Sequence, residues 1–184
     1  TLVEKTCSAC HNTTTSTNRN NFGYVLSMMN ENSFDEAFHN ELQQKNISKC
    51  KNCNQNVPIT SKTTMESYPN ILSFCMKRLF RRRHLMNDIE VPYELSFGDK
   101  AKYILKSAII HGGDFSSGHY YAIATYQEVY YQMNDGVVKP LTLAGMKLLM
   151  RGAYVTFFEK VDEEIICDGN FSLLPSPHLN SHSI

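Results

Sequence analysis

Residues 103–126, YILKSAIIHGGDFSSGHYYAIATY, decide the fold of this chain. Two apolar runs, residues 103–110 and 120–126, are separated by a short turn that is rich in glycine and serine. Runs of β-branched and aromatic residues on both sides of such a turn predict a β-hairpin. His119 lies at the start of the returning strand, so the hairpin is expected to place an imidazole at the mouth of a sheet.

A second polar pair, Asn134 and Asp135, follows the next strand-like run, residues 129–133. A histidine acts as a general base when an amide or carboxylate oxygen holds its second ring nitrogen. We therefore predict that His119 with Asn134 or Asp135 supplies two members of a base, orienter and nucleophile arrangement. His111 ends the outgoing strand without a matching partner downstream, and we expect it to be structural.

Four of the six cysteines form two C-x-x-C pairs, Cys7 with Cys10 and Cys50 with Cys53. Each pair can present two thiolates, and two pairs complete a closed tetrahedral site for a structural Zn²⁺ ion. Disulfides or free thiols are the alternative, but no signal-peptide pattern indicates an oxidising compartment. His11, beside Cys10, is expected to be an exposed loop residue because four cysteines already fill the coordination shell.

The overall composition argues against two classes of partner. The chain has 184 residues, of which 42% are hydrophobic and 11% aromatic, as in an ordinary globular domain. The formal net charge of zero gives no general attraction to nucleic acid or to an anionic membrane. No apolar run approaches the roughly 18 residues that a membrane-spanning helix needs. We therefore expect neither a nucleic-acid partner nor a membrane partner.

The remaining pattern predicts mostly strands and one clear helix. Ser33 and Glu36 have the spacing of a capping box, which begins a helix. Its apolar face is predicted to consist of Phe34, Ala37, Phe38 and Leu42. Residues 11–21, rich in threonine, asparagine and serine, are predicted to form a loop. Cys75, within the predicted strand 71–76, is expected to be a buried core thiol. Residues 161–184 end in proline, serine and histidine and are predicted to be a flexible tail.

Taken in order, these motifs resemble the C-terminal half of the catalytic domain of the ubiquitin-specific proteases, which are papain-like cysteine deubiquitinases. The resemblance covers residues 7–158. The matching segments are the two C-x-x-C pairs around a helix, Pro69-Asn70-Ile71-Leu72 leading to Met76-Lys77-Arg78, Val91-Pro92-Tyr93-Glu94-Leu95, the strand ending in His111-Gly112, Gly118-His119-Tyr120, Asn134-Asp135 and Ala153-Tyr154.

The resemblance implies an α+β, papain-like cysteine peptidase fold in residues 1–160. Residues 1–68 would be zinc-knuckle β fingers that bind Zn²⁺ through the four paired cysteines. Residues 69–160 would be a mainly antiparallel palm in which His119 is the catalytic base, Asn134 its orienter and Asp135 a supporting or alternative partner. Gly118 would leave room beside this imidazole for a thin peptide such as the Gly-Gly tail of ubiquitin.

The implied reaction is thiol-dependent hydrolysis of the isopeptide bond after the C-terminal glycine of ubiquitin. The partner would then be ubiquitin or a ubiquitinated protein, and the location would be intracellular, cytoplasmic or nuclear. One departure from the family is large: its nucleophile lies in an Asn-x-Gly-Asn-Thr-Cys segment, and nothing here matches that segment. Cys75 and Cys167 stand in other contexts. We expect the thumb, with the nucleophile, to precede Thr1, and this chain alone to be inactive.

Two alternatives remain open at this point. The first is a catalytically inactive, deubiquitinase-like module that binds ubiquitin or acts as a scaffold. The second is a zinc-ribbon module that binds nucleic acid, which the zero net charge and the lack of a basic aromatic face disfavour.

Overall fold

The computed structural model describes residues 1–18, 23–29, 31–80, 83–84, 89–113 and 117–161, with the backbone alone for residues 79, 80, 83 and 84. Of the predicted flexible tail, Val161 is instead the last residue of a strand, and residues 162–184, with Cys167, lie outside the described residues. The elements of the described part are β1 (Leu2–Cys7), β2 (Thr13–Thr17), β3 (Gly23–Ser27), α1 (Phe34–Leu42), β4 (Gln43–Lys49), β5 (Asn56–Thr64), β6 (Ile71–Lys77), β7 (Leu79–Phe80), β8 (Arg83–His84), β9 (Glu94–Ser96), β10 (Lys102–Gly113), β11 (Gly118–Tyr126), β12 (Val129–Asn134), β13 (Val137–Pro140), α2 (Leu143–Met150) and β14 (Ala153–Val161).

Eight strands of the described residues form one large sheet with the order β13-β12-β11-β10-β14-β6-β3, to which β9 adds at β10. Its neighbours are antiparallel except for β3 and β6, which run parallel. The long hairpin of β10 and β11 lies near the middle, as residues 103–126 predict. The predicted mainly antiparallel α+β architecture is therefore confirmed. The two-residue strands β7 and β8 pair with each other.

One face of the large sheet carries the core. Leu72, Phe74 and Met76 of β6 are buried on this face, whereas Cys75 between them points to the other face and is exposed. The prediction of a buried Cys75 is therefore wrong, because successive side chains of a strand point to opposite faces and the described residues cover only one face of this strand.

The helix α1 closes the core where the sequence predicts it. The hydroxyl of Ser33 accepts a hydrogen bond from the backbone N–H of Glu36 at 3.1 Å, which caps the helix. Phe34 and Ala37 are buried, and the ring of Phe34 meets that of Phe74 edge to face, with centroids 5.0 Å apart. The helix α2, which contacts β10, contributes the buried Met146 and Met150.

Two buried tyrosines anchor the strands and loops around β10. The hydroxyl of Tyr103 donates to the carbonyl oxygen of Pro69 at 2.7 Å, and that of Tyr130 donates to the carbonyl oxygen of Leu105 at 2.5 Å. Burial raises the pKa of Tyr103 to about 12 and also raises the pKa of Tyr130. Both phenols therefore stay protonated and act as donors.

A small sheet with the order β2-β1-β5-β4 lies at the N-terminal side of the chain. Its strands come from two separate segments, because β3 and α1, between them in sequence, pack on the large sheet. Residues 1–68 thus contribute to both sheets. The strand β2 replaces the loop predicted for residues 11–21; its residues, TTTST, are all exposed, so no apolar alternation marks it. Within the described residues, no helix has the length and apolar character to cross a membrane.

Candidate functional site

Neighbouring strand ends of the large sheet bring His119 and Asn134 together. Gly112 of β10 pairs with His119 at the start of β11, and Asn134 is the last residue of the adjacent strand β12. Nε2 of His119 lies 2.5 Å from Oδ1 of Asn134. The distance is that of a hydrogen bond, so the pairing predicted from sequence spacing is present in the fold.

This hydrogen bond selects one tautomer of the imidazole. A carbonyl oxygen of an amide accepts and cannot donate, so the neutral ring of His119 carries its proton on Nε2 when this nitrogen faces Oδ1 of Asn134. The other nitrogen, Nδ1, then keeps its lone pair and can accept a proton. The side chain of His119 is half exposed, at 50%, so a reacting group can reach the ring. The arrangement can therefore perform general base chemistry.

Asp135 lies next to Asn134, at a longer distance from the His119 ring. Its Oδ2 atom lies 3.8 Å from Nε2 of His119, and its side chain is 82% exposed. The backbone of Asp135 has a φ of 52°, in the left-handed region that aspartate tolerates better than most residues. A shallow depression beside it is lined by Gln132, Asn134, Asp135, Val137 and Lys139. Asn134 is thus the direct partner of the ring and Asp135 a more distant, solvated one.

No described cysteine lies near His119. Four paired residues form a row across the sheet. Cys75 of β6 pairs with Val155 of β14, which pairs with Ile109 of β10. Ile109 in turn pairs with Ala122 of β11. Three strand spacings separate the ends of the row, roughly 14 Å. Because side chains alternate, Ala122 and Cys75 face away from the surface that carries His119. Cys75 is therefore excluded as the nucleophile in this geometry.

Gly118 has a role that the sequence does not indicate. A Cβ atom added at Gly118 would overlap Nε2 and Cε1 of His111 and would lie 3.0 Å from its Cδ2. The space that the glycine leaves is thus filled by the ring of His111, on the face opposite His119. The expected opening beside the imidazole of His119 is therefore not what makes a glycine necessary here.

The four paired cysteines meet at the end of the small sheet. The Sγ atoms of Cys7 and Cys53 are 3.9 Å apart and those of Cys10 and Cys50 are 3.8 Å apart. All four sulfurs lie within 4.8 Å of one another, and all four are free thiols. A regular tetrahedron with Zn–S bonds of ~2.3 Å has edges of ~3.8 Å, so the cluster has the size that Zn²⁺ requires.

The two C-x-x-C turns have the same backbone form. The N–H of Cys7 donates to the carbonyl oxygen of Asn12, and the N–H of Cys50 donates to that of Gln55. The residue after each pair adopts a left-handed conformation, with φ of 55° at His11 and 59° at Asn54. His11 is exposed, as predicted. Two equivalent knuckles therefore present their sulfurs to one point.

The electrostatics of the cluster also fit a cation. The side-chain amide of Asn52 lies 3.5 Å from Sγ of Cys10 and, with the backbone of Asn12, lowers the pKa of that thiol to about 6. For Cys53, the backbone N–H of Gln55 lowers the pKa, but burial and the neighbouring sulfurs together raise it to about 11. Four crowded thiolates repel one another, and a divalent cation removes this penalty. The donor set thus fits a structural zinc ion with no open position.

The sequence model of the family described as "Ubiquitin carboxyl-terminal hydrolase" matches residues 6–158. The chain belongs to this family. Ubiquitin carboxyl-terminal hydrolase 42 of Homo sapiens is 28% identical over 130 residues, which are 64% of this chain and 10% of that protein. Ubiquitin carboxyl-terminal hydrolase 21 of Mus musculus is 27% identical over 139 residues, which are 69% of this chain and 24% of that protein.

Solved structures of the SAGA DUB module share the fold of this family member. In the module bound to monoubiquitin, one chain aligns with a TM-score of 0.69 and 21% identity over 88% of this chain and 40% of its own length. In the Ubp8/Sgf11/Sus1/Sgf73 module bound to ubiquitin aldehyde, the values are 0.67, 19%, 88% and 41%. The chain thus spans less than half of the proteins that it matches.

Proposed function

We propose that the protein is a cysteine-type deubiquitinase in which this chain supplies the general base, His119, and its orienting residue, Asn134. The observation that carries the proposal is the 2.5 Å contact between Nε2 of His119 and Oδ1 of Asn134, at the strand ends where the family's motifs lie. Membership of the ubiquitin carboxyl-terminal hydrolase family supports the reaction class. The proposed substrate is the isopeptide bond after the C-terminal glycine of ubiquitin.

The chemistry of the base follows from its tautomer. Nδ1 of His119 accepts the proton of a cysteine thiol, and the thiolate attacks the glycine carbonyl carbon. The carbon–nitrogen bond then breaks, and the imidazolium returns its proton to the departing lysine amine. A water molecule, deprotonated by the same Nδ1, hydrolyses the thioester and releases the carboxylate and the thiol. Throughout, Asn134 accepts the Nε2 proton in its hydrogen bond and keeps the ring in one orientation.

The nucleophile in this proposal is not one of the six cysteines. Four of them form the metal-binding cluster, and Cys75 lies on the opposite face of the large sheet from His119. Cys167, outside the described residues, has no sequence context of the family's nucleophile. A thiol from another segment of the protein would therefore have to meet Nδ1. The zinc ion, if bound by the four paired cysteines, would stabilise the small sheet and would take no part in the reaction.

The test uses a fluorogenic ubiquitin amide, ubiquitin–7-amido-4-methylcoumarin. The protein expressed from its complete coding sequence should release the fluorophore, and His119→Ala should abolish this release. The 184-residue chain should show no turnover. If the chain alone is active, the claim of a missing nucleophile is wrong, and Cys167→Ser then tells whether Cys167 supplies it. The outcome of this test does not depend on whether the four paired cysteines bind zinc.

The absence of a described thiol near His119 favours a second candidate, a ubiquitin-binding or scaffold module without activity. Two of the structural neighbours were solved with monoubiquitin and with ubiquitin aldehyde, so ubiquitin is the ligand to test on this chain. Calorimetric titration of the chain with monoubiquitin, with ubiquitin lacking its last two glycines as control, measures this binding. Binding by a full-length protein that never releases the fluorophore would establish the scaffold function instead.

A further inference from the structure

The ring of His111 lies against the backbone of Gly118, the residue immediately before His119. A Cβ at Gly118 would overlap the His111 ring, and among the described residues, apart from its two chain neighbours, none approaches that position as closely. Two other glycines belong to this ladder. Gly112 faces open space except for a Tyr121 ring atom at 3.9 Å from a hypothetical Cβ, whereas Gly113, with a φ of 118°, would place a Cβ 2.5 Å from the backbone oxygen of Ser117. Backbone conformation thus requires glycine at position 113, and at position 118 the requirement is set by one imidazole.

Two tyrosines hold this imidazole in place. The ring centroid of His111 lies 4.4 Å from that of Tyr120 and 5.2 Å from that of Tyr154. The two tyrosine rings are themselves 5.9 Å apart and nearly perpendicular. The backbone N–H of His111 donates to the carbonyl oxygen of Gly152 at 3.2 Å, which joins β10 to the turn before β14. The three rings thus form a cluster that spans three adjacent strands.

The cluster lies on the reverse side of the strand end that carries His119. Gly118 and Tyr120 point to one face of β11, and His119 between them points to the other. A glycine backbone is the least restricted of any residue, so the first residue of β11 is the one whose dihedral angles vary most easily. A ring packed against Gly118 restricts those angles. It thereby limits where the Cα–Cβ bond of His119 can point.

We propose that His111 is a positioning residue, whose clamped imidazole packs on Gly118 and holds the start of β11 where His119 meets Asn134. The proposal rests on the proposed function in that His119 is the group being positioned. It differs from the idea that Gly118 makes room for the substrate, because the ring of His111 already fills the space beside Gly118. A misplacement of ~1 Å at a reacting group can lower a rate by ~10²-fold, which is the scale of effect expected.

The two explanations of Gly118 predict opposite results for one pair of substitutions. Gly118→Ala should collide with the His111 ring and displace His119. Adding His111→Ala removes the collision. The double variant should therefore recover most of the His119 orientation and of the kcat that Gly118→Ala loses. If glycine is needed for passage of the substrate, the double variant should remain as impaired as Gly118→Ala alone. Gly112→Ala is the matched control, since its Cβ meets no obstacle in the same hairpin.

The direct readout is the ¹⁵N NMR signature of the His119 ring in the 184-residue chain. Wild type and Gly112→Ala should show the Nε2–H tautomer that the Asn134 bond requires. Gly118→Ala should show a mixture of tautomers, and the double variant should return toward wild type. Should His111→Ala unfold, as thermal melting would reveal, His111→Asn with Gly118→Ala provides the same relief because asparagine lacks the outer ring atoms.

The kinetic readout uses the fluorogenic amide and the protein from the complete coding sequence. We expect Gly118→Ala to lower kcat about 100-fold with little change in KM, and the double variant to regain at least 10-fold of it. The proposal is overturned if the double variant regains nothing, if Gly118→Ala keeps the wild-type tautomer, or if Gly112→Ala is equally disruptive. An inactive wild type would count against the proposed function alone, because the tautomer measurement does not depend on activity.

Discussion

Nε2 of His119 and Oδ1 of Asn134 lie 2.5 Å apart across two neighbouring strands of the large sheet. In the neutral ring, the contact places the proton on Nε2 of His119 and leaves Nδ1 able to accept a proton. His119 is the second residue of β11 and Asn134 is the last residue of β12, so the bond depends on the register of β11 with β12.

Asn134→Ala should lower kcat/KM of the full-length protein by about 10²- to 10⁴-fold, because the ring loses the acceptor that selects its tautomer. The fluorogenic amide measures this loss. His119→Ala is the reference for a missing base. Retention of wild-type kcat/KM in Asn134→Ala would show that another group orients the ring.

Asp135→Asn should lower kcat/KM by about 5-fold or less, since an exposed pair is worth at most ~1 kcal/mol. Asparagine is chosen because, like aspartate, it tolerates the left-handed φ of 52° at this position. Asp135→Ala tests the backbone as well and should also lower the melting temperature. A 100-fold loss in Asp135→Asn would instead assign the carboxylate a direct role beside Asn134.

Cys50→Ser should abolish the binding of one zinc ion per chain and lower the melting temperature of the small sheet. The reason is that three thiolates and a hydroxyl no longer complete the tetrahedral zinc site. Mass spectrometry of the bound metal and circular dichroism measure both effects, and a strong zinc chelator should reproduce them in wild type. Cys75→Ser is the matched control, since Cys75 is exposed on the large sheet. Equal zinc in wild type and Cys50→Ser would refute the metal site.

Glu128→Gly should raise the free energy of unfolding by about 1 kcal/mol, because Glu128 occupies the turn between β11 and β12 with a φ of 63°. Positive φ is costly for residues with a Cβ and natural for glycine. Chemical denaturation measures the gain. Glu128→Ala keeps the Cβ and removes the charge; if it stabilises the protein as much as glycine does, charge and not backbone strain is responsible.

Tyr130→Phe should lower the free energy of unfolding by about 1–3 kcal/mol, because the buried carbonyl oxygen of Leu105 loses its hydroxyl donor. Tyr126→Phe is the control, since Tyr126 is 66% exposed. The difference between the two midpoints in denaturant isolates the buried hydrogen bond. Equal midpoints would mean that water replaces the phenol.

The pattern of the sequence predicts those parts of the protein whose signal is local. The helix α1 follows from its capping box and apolar spacing, and the hairpin of β10 and β11 from two apolar runs around a turn. The four cysteines of the metal site are recognisable because the C-x-x-C spacing itself forms a knuckle. His119 and Asn134 were predictable as partners because both lie at the ends of consecutive strands.

Other features required the tertiary structure because they depend on which face of a strand is covered or on distant pairing. The strand β2 is entirely polar and exposed, so its pairing with β1, and not its own pattern, makes it a strand. Cys75 has the sequence context of a core thiol, yet it lies on the face of β6 that the described residues leave exposed.

The family, the metal ligands and the proposed base with its orienter are thus predictable from the sequence, since each is carried by residues close together in the chain or in a fixed order. Only the folded arrangement explains why residue 118 is glycine. The ring of His111 reaches Gly118 from the neighbouring strand, seven residues away in sequence and on the opposite face from His119. Contacts of this kind arise from register and side-chain direction, which no local pattern of residue types specifies.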